Sequence, residues 1–201
     1  MTLTSKSIGD AIRKIAAGVE PVGAHLNELD GKLGDGDLGV TLVNGFNNMK
    51  LIADDLPQDF GMACMASAKA MTKVSGSSFG TLMGISLMAV AKKTKGETDV
   101  DWATLPDLLQ AATDAMIARG GANLGDKTIL DSMDAIIKAL TGHSDPSQML
   151  DLAKNAADQA LADFNGRVCK IGRARIFGDK TIGMDDPGMV AIQQMLVLLK
   201  A

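Results

Sequence analysis

The sequence predicts an all-α fold built from about eight amphipathic helices. Along most of the chain, apolar residues recur in steps of three and four, which places them on one face of a helix. No segment of strand length alternates polar with apolar residues, and no run of β-branched residues lies between turn signals. The 201 residues can form one full core and no shift in composition marks a boundary, so we expect residues 1–201 to form a single domain.

The first four helices are predicted from their apolar faces. The first face extends over residues 8–29 and contains Pro21, a candidate bend. A second apolar face covers residues 42–53. Residues 59–73, rich in Ala and Met, predict a third helix, and the apolar residues 80–93 predict a fourth. Because the chain has 13 Met residues and only 3% aromatic residues, its core must be aliphatic and filled with Met.

Start and stop signals mark the four remaining helices. A start signal precedes a fifth helix over residues 105–118, and the glycines at 120–121 stop it. Residues 129–140 carry the regular apolar face of a sixth helix, and residues 149–164 carry that of a seventh. The turn at 186–188 opens the eighth helix, because proline is favoured in a first helical turn.

The composition excludes several classes of partner. The net charge is −4, and one Trp with five Phe offers no stacking platform, so we expect no nucleic-acid binding. Cys64 and Cys169 are far apart and form no metal-binding or disulfide pattern, which favours a reduced compartment. The most apolar stretch, residues 81–91, is shorter than the roughly 20 residues that span a bilayer. We therefore expect a cytoplasmic protein without a membrane partner.

One acidic segment, residues 29–41, predicts a loop built around a cation. Asp30, Asp35 and Asp37 lie within eight residues and are separated by glycines. Carboxylates so close together repel one another unless solvent or a bound cation neutralises them, and hard oxygen ligands favour Mg²⁺ or Ca²⁺. A simple Gly-Asp turn is the alternative. An EF-hand is excluded, because its spacing and its Glu at loop position twelve are missing.

Two further segments are candidates for phosphate binding. Residues 74–80 are mostly small and precede a helix N-terminus, where backbone N–H groups attract anions, although a plain turn between helices explains them as well. Five cations follow later in an otherwise acidic protein, and they either contact phosphate or pair with surface aspartates. These cations are Arg167, Lys170, Arg173, Arg175 and Lys180.

The pentapeptide Gly-Asp-Lys-Thr-Ile occurs twice, at residues 125–129 and 178–182. With Gly120 upstream, the first copy approaches the pattern of a phosphate-binding P-loop. We reject that interpretation, because an Asp stands where the motif needs Lys directly after Gly, and because the copy follows a predicted helix rather than a strand. The repeat is either a coincidence or a feature with a structural or functional role, and the sequence leaves both open.

Four motifs occur in a characteristic order. They are Leu-Asp-x-x-Leu-Gly-Asp-Gly-Asp-x-Gly at 29–39, a Gly/Ser turn at 76–84, Gly-Asp-Lys-Thr at 125–128, and an Arg- and Gly-rich motif ending in Asp-Pro-Gly at 172–188. Together they resemble the nucleotide-binding L subunit of dihydroxyacetone kinase, the DAK2-domain family, over nearly the whole chain. The resemblance implies a closed barrel of eight antiparallel helices that binds ADP or ATP at one end through two Mg²⁺ ions.

The same resemblance implies roles for individual residues. Arg173 takes the catalytic role and also contacts the nucleotide, while Gly120 and Ile129 border the base. The residues that hold Mg²⁺ are Asp30, Asp35 and Asp37. The remaining nucleotide contacts are Leu38, Gly39, Val40, Thr41, Ser78, Phe79, Asp186, Pro187 and Gly188.

Two positions depart from the family pattern at the phosphate end. Leu38 stands where many bacterial L subunits have His, and Gly-Ser-Ser-Phe-Gly-Thr-Leu at 76–82 replaces Gly-Ala-Ser-Gly-Pro-Leu. Both departures bear on the phosphoryl donor. It is either a phosphotransferase-system subunit that rephosphorylates bound ADP, or ATP that exchanges freely.

The resemblance also implies partners. In the family a separate K subunit binds dihydroxyacetone or a similar short sugar through a histidine, and this chain has no motif for that part. The chain would then be a phosphotransferase subunit, active only with its partner, and a homodimer is left open. Two other functions stay open: a Mg²⁺-dependent phosphohydrolase and a non-catalytic nucleotide-binding regulatory module.

Overall fold

The computed structural model describes residues 2–200 and confirms the all-α class. The helices are α1 (Ser5–Leu33), α2 (Leu38–Lys50), α3 (Phe60–Lys73), α4 (Ser78–Lys93), α5 (Leu105–Gly120), α6 (Ile129–Leu140), α7 (Pro146–Asn165) and α8 (Pro187–Lys200). Two 3₁₀ segments cover Trp102–Thr104 and Ala174–Thr181. None of the helices in this described range is long and apolar enough to cross a membrane.

The first helix is longer than its apolar face predicted. It continues through Pro21 and ends only at Leu33, because Leu33 extends the buried face by another turn. Asp30 therefore lies in the last turn of α1, and the expectation that it belongs to a loop was wrong. The helix begins with a capping box, in which the side chains of Thr4 and Ser7 each bond the other residue's backbone N–H.

The second helix also differs from the prediction. It begins at Leu38, four residues earlier than its apolar face suggested, and ends at Lys50 instead of Ala53. Residues 51–54 form turns. The early start has a tertiary cause, because side chains of α1 bond the first N–H groups of α2, as described below.

A small antiparallel strand pair was not predicted. Strand β1 (Thr2–Leu3) pairs with β2 (Val100–Asp101), with Thr2 opposite Asp101 and Leu3 opposite Val100. Two residues per strand are too few to produce a recognisable alternation in the sequence. The pair joins the chain start to the segment before α5.

Each helix packs against its neighbours in sequence, and α8 packs against α1. The largest core cluster draws mostly on α1, α2, α6 and α8, with contributions from α3, α4 and α5. Its fully buried side chains include Val19, Leu26, Leu42 and Met71. Methionines fill much of the remaining interior, as the composition required. The buried methionines are Met49, Met71, Met116, Met133, Met149, Met189 and Met195.

Two glycines allow α1 and α2 to approach closely. A Cβ atom at Gly39 would lie 1.9 Å from the backbone oxygen of Gly23, so no larger residue fits without moving one helix. This contact fixes the end of α1, which carries Asp30, relative to the start of α2, which follows Asp37.

Candidate functional site

The predicted acidic residues form a cluster at the junction of α1 and α2. Asp30 lies in the last turn of α1, Asp35 in the connection, and Asp37 at the N-cap of α2. One carboxylate oxygen from each residue lies within 4.8 Å of the other two. Burial raises the pKa of Asp37, and the negative charges of Asp35 and Asp30 raise it further. A cation in the cluster would relieve this repulsion.

Side chains of α1 hold the cluster in place. The Oδ2 atom of Asp30 accepts hydrogen bonds from the backbone N–H groups of Asp37 (3.0 Å) and Leu38 (3.3 Å). Asn27, which the sequence analysis did not single out, accepts a third bond from the N–H of Val40 at 3.1 Å. These bonds satisfy N–H groups at the start of α2 that have no partner within the helix. The carboxylates are thus held together by the fold itself.

The chemistry of the donors fits a hard divalent cation. The cluster offers carboxylate oxygens, and neither His nor Cys takes part in it. Mg²⁺ is commonly bound by one or two carboxylates, with water and substrate phosphate completing its shell, and Ca²⁺ also prefers oxygen. The Oδ2 atom of Asp35 lies 2.8 Å from Nη2 of Arg173, so the cluster also contacts the basic segment.

A cavity of about 1420 Å³ opens beside the acidic cluster. The junction of α1 and α2, the first turns of α4, α6 and α8, the end of α5 and residues 171–177 all contribute to its wall. Most of the predicted site residues line it. They are Asp30, Asp35, Asp37, Leu38, Val40, Thr41, Ser78, Phe79, Gly120, Ile129, Arg173, Asp186, Pro187 and Gly188.

Gly39 is placed differently from the other predicted contacts. It is buried against Gly23 of α1 and does not belong to the cavity wall. Successive helical residues point in directions about 100° apart, so Leu38 and Val40 reach the cavity while Gly39 faces the neighbouring helix. In this structure its contribution is to the spacing of the helices.

Hydroxyl groups gather at the N-terminus of α4, where the phosphate-binding turn was predicted. Ser77 is the N-cap, and its Oγ accepts the N–H of Gly80 at 3.1 Å. Thr41 donates to the same Oγ at 2.8 Å, and the Oγ of Ser75 lies 3.2 Å from it. A helix N-terminus with several hydroxyl donors is suited to an anionic oxygen.

The five predicted cations do not act as one group. Arg173 and Arg175 line the cavity. Arg167 instead lies over the ring of Phe164, 4.2 Å from its centroid. Lys170 and Lys180 are exposed and lie outside the cavity wall.

Several lining residues were missed by the sequence analysis. Arg119 adds a cation from the last turn of α5, and Asn44 lies one turn after Thr41 on the same face of α2. The helical spacing from Thr41 could have indicated Asn44 as a residue of the cavity wall, whereas Arg119 is brought to the cavity only by the tertiary packing. Leu82 and Met116 make part of the wall apolar, which suits a flat ring such as a nucleobase.

Asp186 combines a structural and an electrostatic feature. Its Oδ1 accepts the N–H of Met189 at 2.9 Å at the start of α8. Burial raises the pKa of its carboxyl to about 6, although the hydrogen bonds from the backbone of Met189 and Gly188 oppose that change. The carboxyl therefore keeps its proton to a higher pH than an ordinary aspartate does.

An acidic cluster, a hydroxyl-rich helix N-terminus and two arginines surround one cavity of this all-α protein, an arrangement that suits a cation together with a phosphate-bearing ligand. The chain belongs to the DAK2 domain family, which matches residues 32–200.

Individual relatives support this assignment. The chain is 26% identical to the ADP-binding subunit DhaL of the PEP-dependent dihydroxyacetone kinase of Escherichia coli, over 87% of this chain and 86% of that protein. It is 32% identical to the ADP-binding subunit DhaL of the PTS-dependent dihydroxyacetone kinase of Lactococcus lactis, over 82% of this chain and 80% of the relative.

Longer proteins and a solved structure contain a similar domain. The triokinase/FMN cyclase of Bos taurus is 32% identical over 86% of this chain, which corresponds to 30% of that protein. The crystal structure of the dihydroxyacetone kinase from C. freundii in complex with AMP-PNP and Mg²⁺ has a TM-score of 0.75 and 22% identity. It covers 99% of this chain, which corresponds to 34% of the kinase chain, and this likeness shows a common fold.

Proposed function

We propose that this chain is the Mg²⁺-nucleotide-binding subunit of a dihydroxyacetone-type kinase, which passes a phosphoryl group to a short sugar held by a separate K subunit. The observation that carries the proposal is the contact between Asp35 and Arg173, because it joins the acidic cluster to the cavity's basic segment at 2.8 Å. Relatives named as ADP-binding subunits of dihydroxyacetone kinases support it. We further propose that residues 1–201 form one domain, as the uniform composition of the chain predicts.

We also propose that the eight helices form a closed antiparallel barrel with the nucleotide at one end. The support is the order of packing, in which each helix contacts its neighbours in sequence and α8 contacts α1. The first turns of α2, α4, α6 and α8 all border the cavity, as expected when alternate helices begin at the same end.

In this proposal the cavity residues divide into three groups. Asp30, Asp35 and Asp37 hold one or two Mg²⁺ ions, which neutralise charge on the phosphates when bound. Thr41, Ser78 and the N-terminus of α4 lie against the phosphates. The base lies between the end of α5 and the start of α6, and its borders are Gly120 and Ile129.

The chain's contribution to the reaction is positioning and electrostatic stabilisation. Phosphoryl transfer forms a bond from the terminal phosphorus to an alcohol oxygen of the sugar and breaks the bond to the bridging oxygen of the nucleotide, which leaves on the nucleoside diphosphate. The proton of the alcohol passes to a base of the K subunit or to solvent. Arg173 donates hydrogen bonds to the oxygens on which negative charge develops, and Asp35 orients its guanidinium beforehand. No protein nucleophile is required of this subunit.

A partner would dock at the mouth of the cavity. Val40, Val74 and Ile176 line the cavity and are exposed to 48%, 39% and 77%. Exposed apolar side chains around a polar site favour association with another protein surface. This supports a K subunit that presents the sugar directly to the nucleotide. The phosphoryl donor is free ATP or a phosphotransferase-system protein that rephosphorylates bound ADP.

The test combines binding with transfer. Calorimetry should show that ADP binds the chain with Mg²⁺ and binds at least tenfold more weakly with a chelator. Adding a K subunit from a related kinase, dihydroxyacetone and ATP should then produce phosphorylated sugar, whereas the chain alone should produce none. Rapid phosphate release from ATP by the chain alone would indicate a phosphohydrolase. Binding without transfer, with every K subunit tried, would indicate a regulatory module.

A further inference from the structure

The two copies of Gly-Asp-Lys-Thr-Ile meet in the folded protein. Lys127 of the first copy is buried, with 1% of its surface exposed. Its Nζ donates to the backbone oxygens of Asn165 (3.1 Å), Arg167 (2.8 Å) and Thr181 (2.9 Å), and Thr181 belongs to the second copy. An ammonium group has three N–H donors, so these three bonds use all of them.

The first copy forms a rigid base for this lysine. Lys127 adopts a left-handed backbone conformation with φ of 64°, which is uncommon for a residue with a side chain. Thr128 caps α6, and the buried carboxyl of Asp131 accepts the N–H groups of Gly125 (2.6 Å) and Thr128 (2.8 Å). The hydrogen bonds to Asp131 therefore hold the backbone on both sides of Lys127.

The three acceptors lie at the neck of a loop. Residues 166–182, here called the cavity loop, leave the end of α7 and return before α8. The N–H of Gly183 donates to the oxygen of Asn165 at 2.8 Å, and the N–H of Cys169 donates to Oγ1 of Thr181 at 2.9 Å. Lys127 therefore donates hydrogen bonds to both ends of the cavity loop, to Asn165 and Arg167 where it begins and to Thr181 where it ends.

The cavity loop carries the basic wall of the site. Arg173, Arg175 and Phe177 lie on it and line the cavity, and Arg173 contacts Asp35. That contact is exposed, with 67% of the Arg173 side chain and 35% of the Asp35 side chain accessible, so it does little to hold the loop by itself. The buried bonds at the neck are the stronger restraint, because without the Lys127 ammonium the oxygen of Arg167 would lose the bond from Nζ, and the oxygens of Asn165 and Thr181 would keep only the bonds from the N–H groups of Gly183 and Met184.

We propose that Lys127 is a positioning residue, which joins the two copies of the repeat and thereby holds the cavity loop over the nucleotide site. The statement about the loop concerns the protein without ligand, and only the expected loss of affinity rests on the proposed function. Lys127 lies outside the cavity wall and acts through Arg173 and its neighbours on the loop.

The repeat supplies a matched control. Lys127→Met keeps the length of the side chain and removes its donors, and Lys180→Met makes the same change at the exposed lysine of the second copy. Trypsin can cut within the cavity loop after Arg167, Lys170, Arg173 and Arg175, and because both variants keep these four sites, cleavage is compared at them alone. We expect Lys127→Met to be cut in the loop at least tenfold faster than the wild type and to bind Mg²⁺-ADP at least tenfold more weakly. Lys180→Met should stay within twofold of the wild type in both assays.

A second control separates positioning from general destabilisation. Met149→Ala removes a buried side chain of α7 from a core cluster away from the cavity wall. It should lower the urea midpoint without selective cleavage of the loop. The proposal would be overturned if folded Lys127→Met were cut in the loop at the wild-type rate and bound Mg²⁺-ADP with the wild-type affinity. It would also be overturned if Met149→Ala, compared at the same free energy of unfolding, were cut in the loop as fast as Lys127→Met.

The wild-type protein gives an answer even if Lys127→Met does not fold. In native-state hydrogen exchange, the segments 125–131 and 165–183 should open together, so their protection factors should agree within about threefold. Exchange of the loop neck a hundredfold faster than that of 125–131 would overturn the proposal. If the wild type does not bind ADP, the proposed function fails, while the proteolysis and exchange results still decide the role of Lys127.

Discussion

Gly39→Ala should disturb the acidic cluster from a distance. The new Cβ would lie 1.9 Å from the backbone oxygen of Gly23 and 2.7 Å from Oδ1 of Asn27, whereas real contacts of a Cβ are essentially never under 3.0 Å. The nearest obstacle is backbone and cannot rotate away. The start of α2 must therefore move by about 1 Å or more, and the N–H groups that bond Asp30 and Asn27 move with it.

The magnitude follows from a comparison with Gly31→Ala. Gly31 lies beside Asp30 in α1, and a Cβ there would meet nothing within 4 Å. Both variants gain the helix propensity of Ala, about 1 kcal/mol, so it cancels in their difference. What remains is the cost of overpacking, about 1–3 kcal/mol, by which Gly39→Ala should be the less stable.

Urea unfolding of both variants measures the difference in stability, and calorimetry measures the affinity for Mg²⁺-ADP. We expect Gly39→Ala to bind at least tenfold more weakly, a loss of about 1.4 kcal/mol, because the carboxylates and the first turn of α2 no longer keep their spacing. Gly31→Ala should bind like the wild type. A stability difference under about 0.5 kcal/mol, together with unchanged affinity, would refute the close approach of α1 and α2 as the device that spaces the cluster.

Three further predictions address the charged groups of the site. Asp35→Asn and Asp37→Asn should each weaken Mg²⁺-ADP binding by about 1 kcal/mol or more in calorimetry while circular dichroism shows intact helices, and unchanged affinity in both would exclude them as metal ligands. Arg173→Ala should change the free energy of unfolding by less than about 1 kcal/mol, because its ion pair is exposed. The same variant should lower the rate of phosphoryl transfer with a K subunit by about a hundredfold, and a normal rate would remove Arg173 from the reaction. The folded-state pKa of Asp186 is about 6 against an ordinary value of 3.8, so the native state binds this proton more tightly than the unfolded state, and its contribution to stability should fall as the pH rises between these values. Asp186→Asn should remove that part of the pH dependence of the urea midpoint, and an identical pH profile in the variant would contradict the raised pKa.

The helices could be predicted because each buries a regular apolar face, and that periodicity is written in the sequence. The predicted ends of the helices were wrong where residues on another helix determine them. Leu38 begins α2 because Asp30 and Asn27, on the preceding helix, bond its first N–H groups. In the sequence, the four residues directly before Leu38 are Gly-Asp-Gly-Asp, a composition that is typical of a turn.

The site was predictable to the extent that its residues are neighbours in the chain or belong to a motif. Asp30, Asp35 and Asp37 lie within one short segment, so their proximity needed no tertiary information. Arg119 reaches the cavity only because α5 packs beside α4 and α6, and no local pattern marks it. Lys127 was part of a recognised repeat, but its burial depends on a loop about forty residues later in the chain.

The packing of α8 on α1 also determines where additional chain could be attached. Helix α8 starts at the cavity with Pro187, and at its other end the backbone oxygen of Leu199 accepts a bond from Lys14, in the first half of α1. Both Ser5 and Lys200 therefore lie towards the side of the molecule remote from the cavity. A linker or a further domain joined at either point would leave the cavity mouth open, which suits a unit that recurs within longer kinases such as the triokinase/FMN cyclase of Bos taurus.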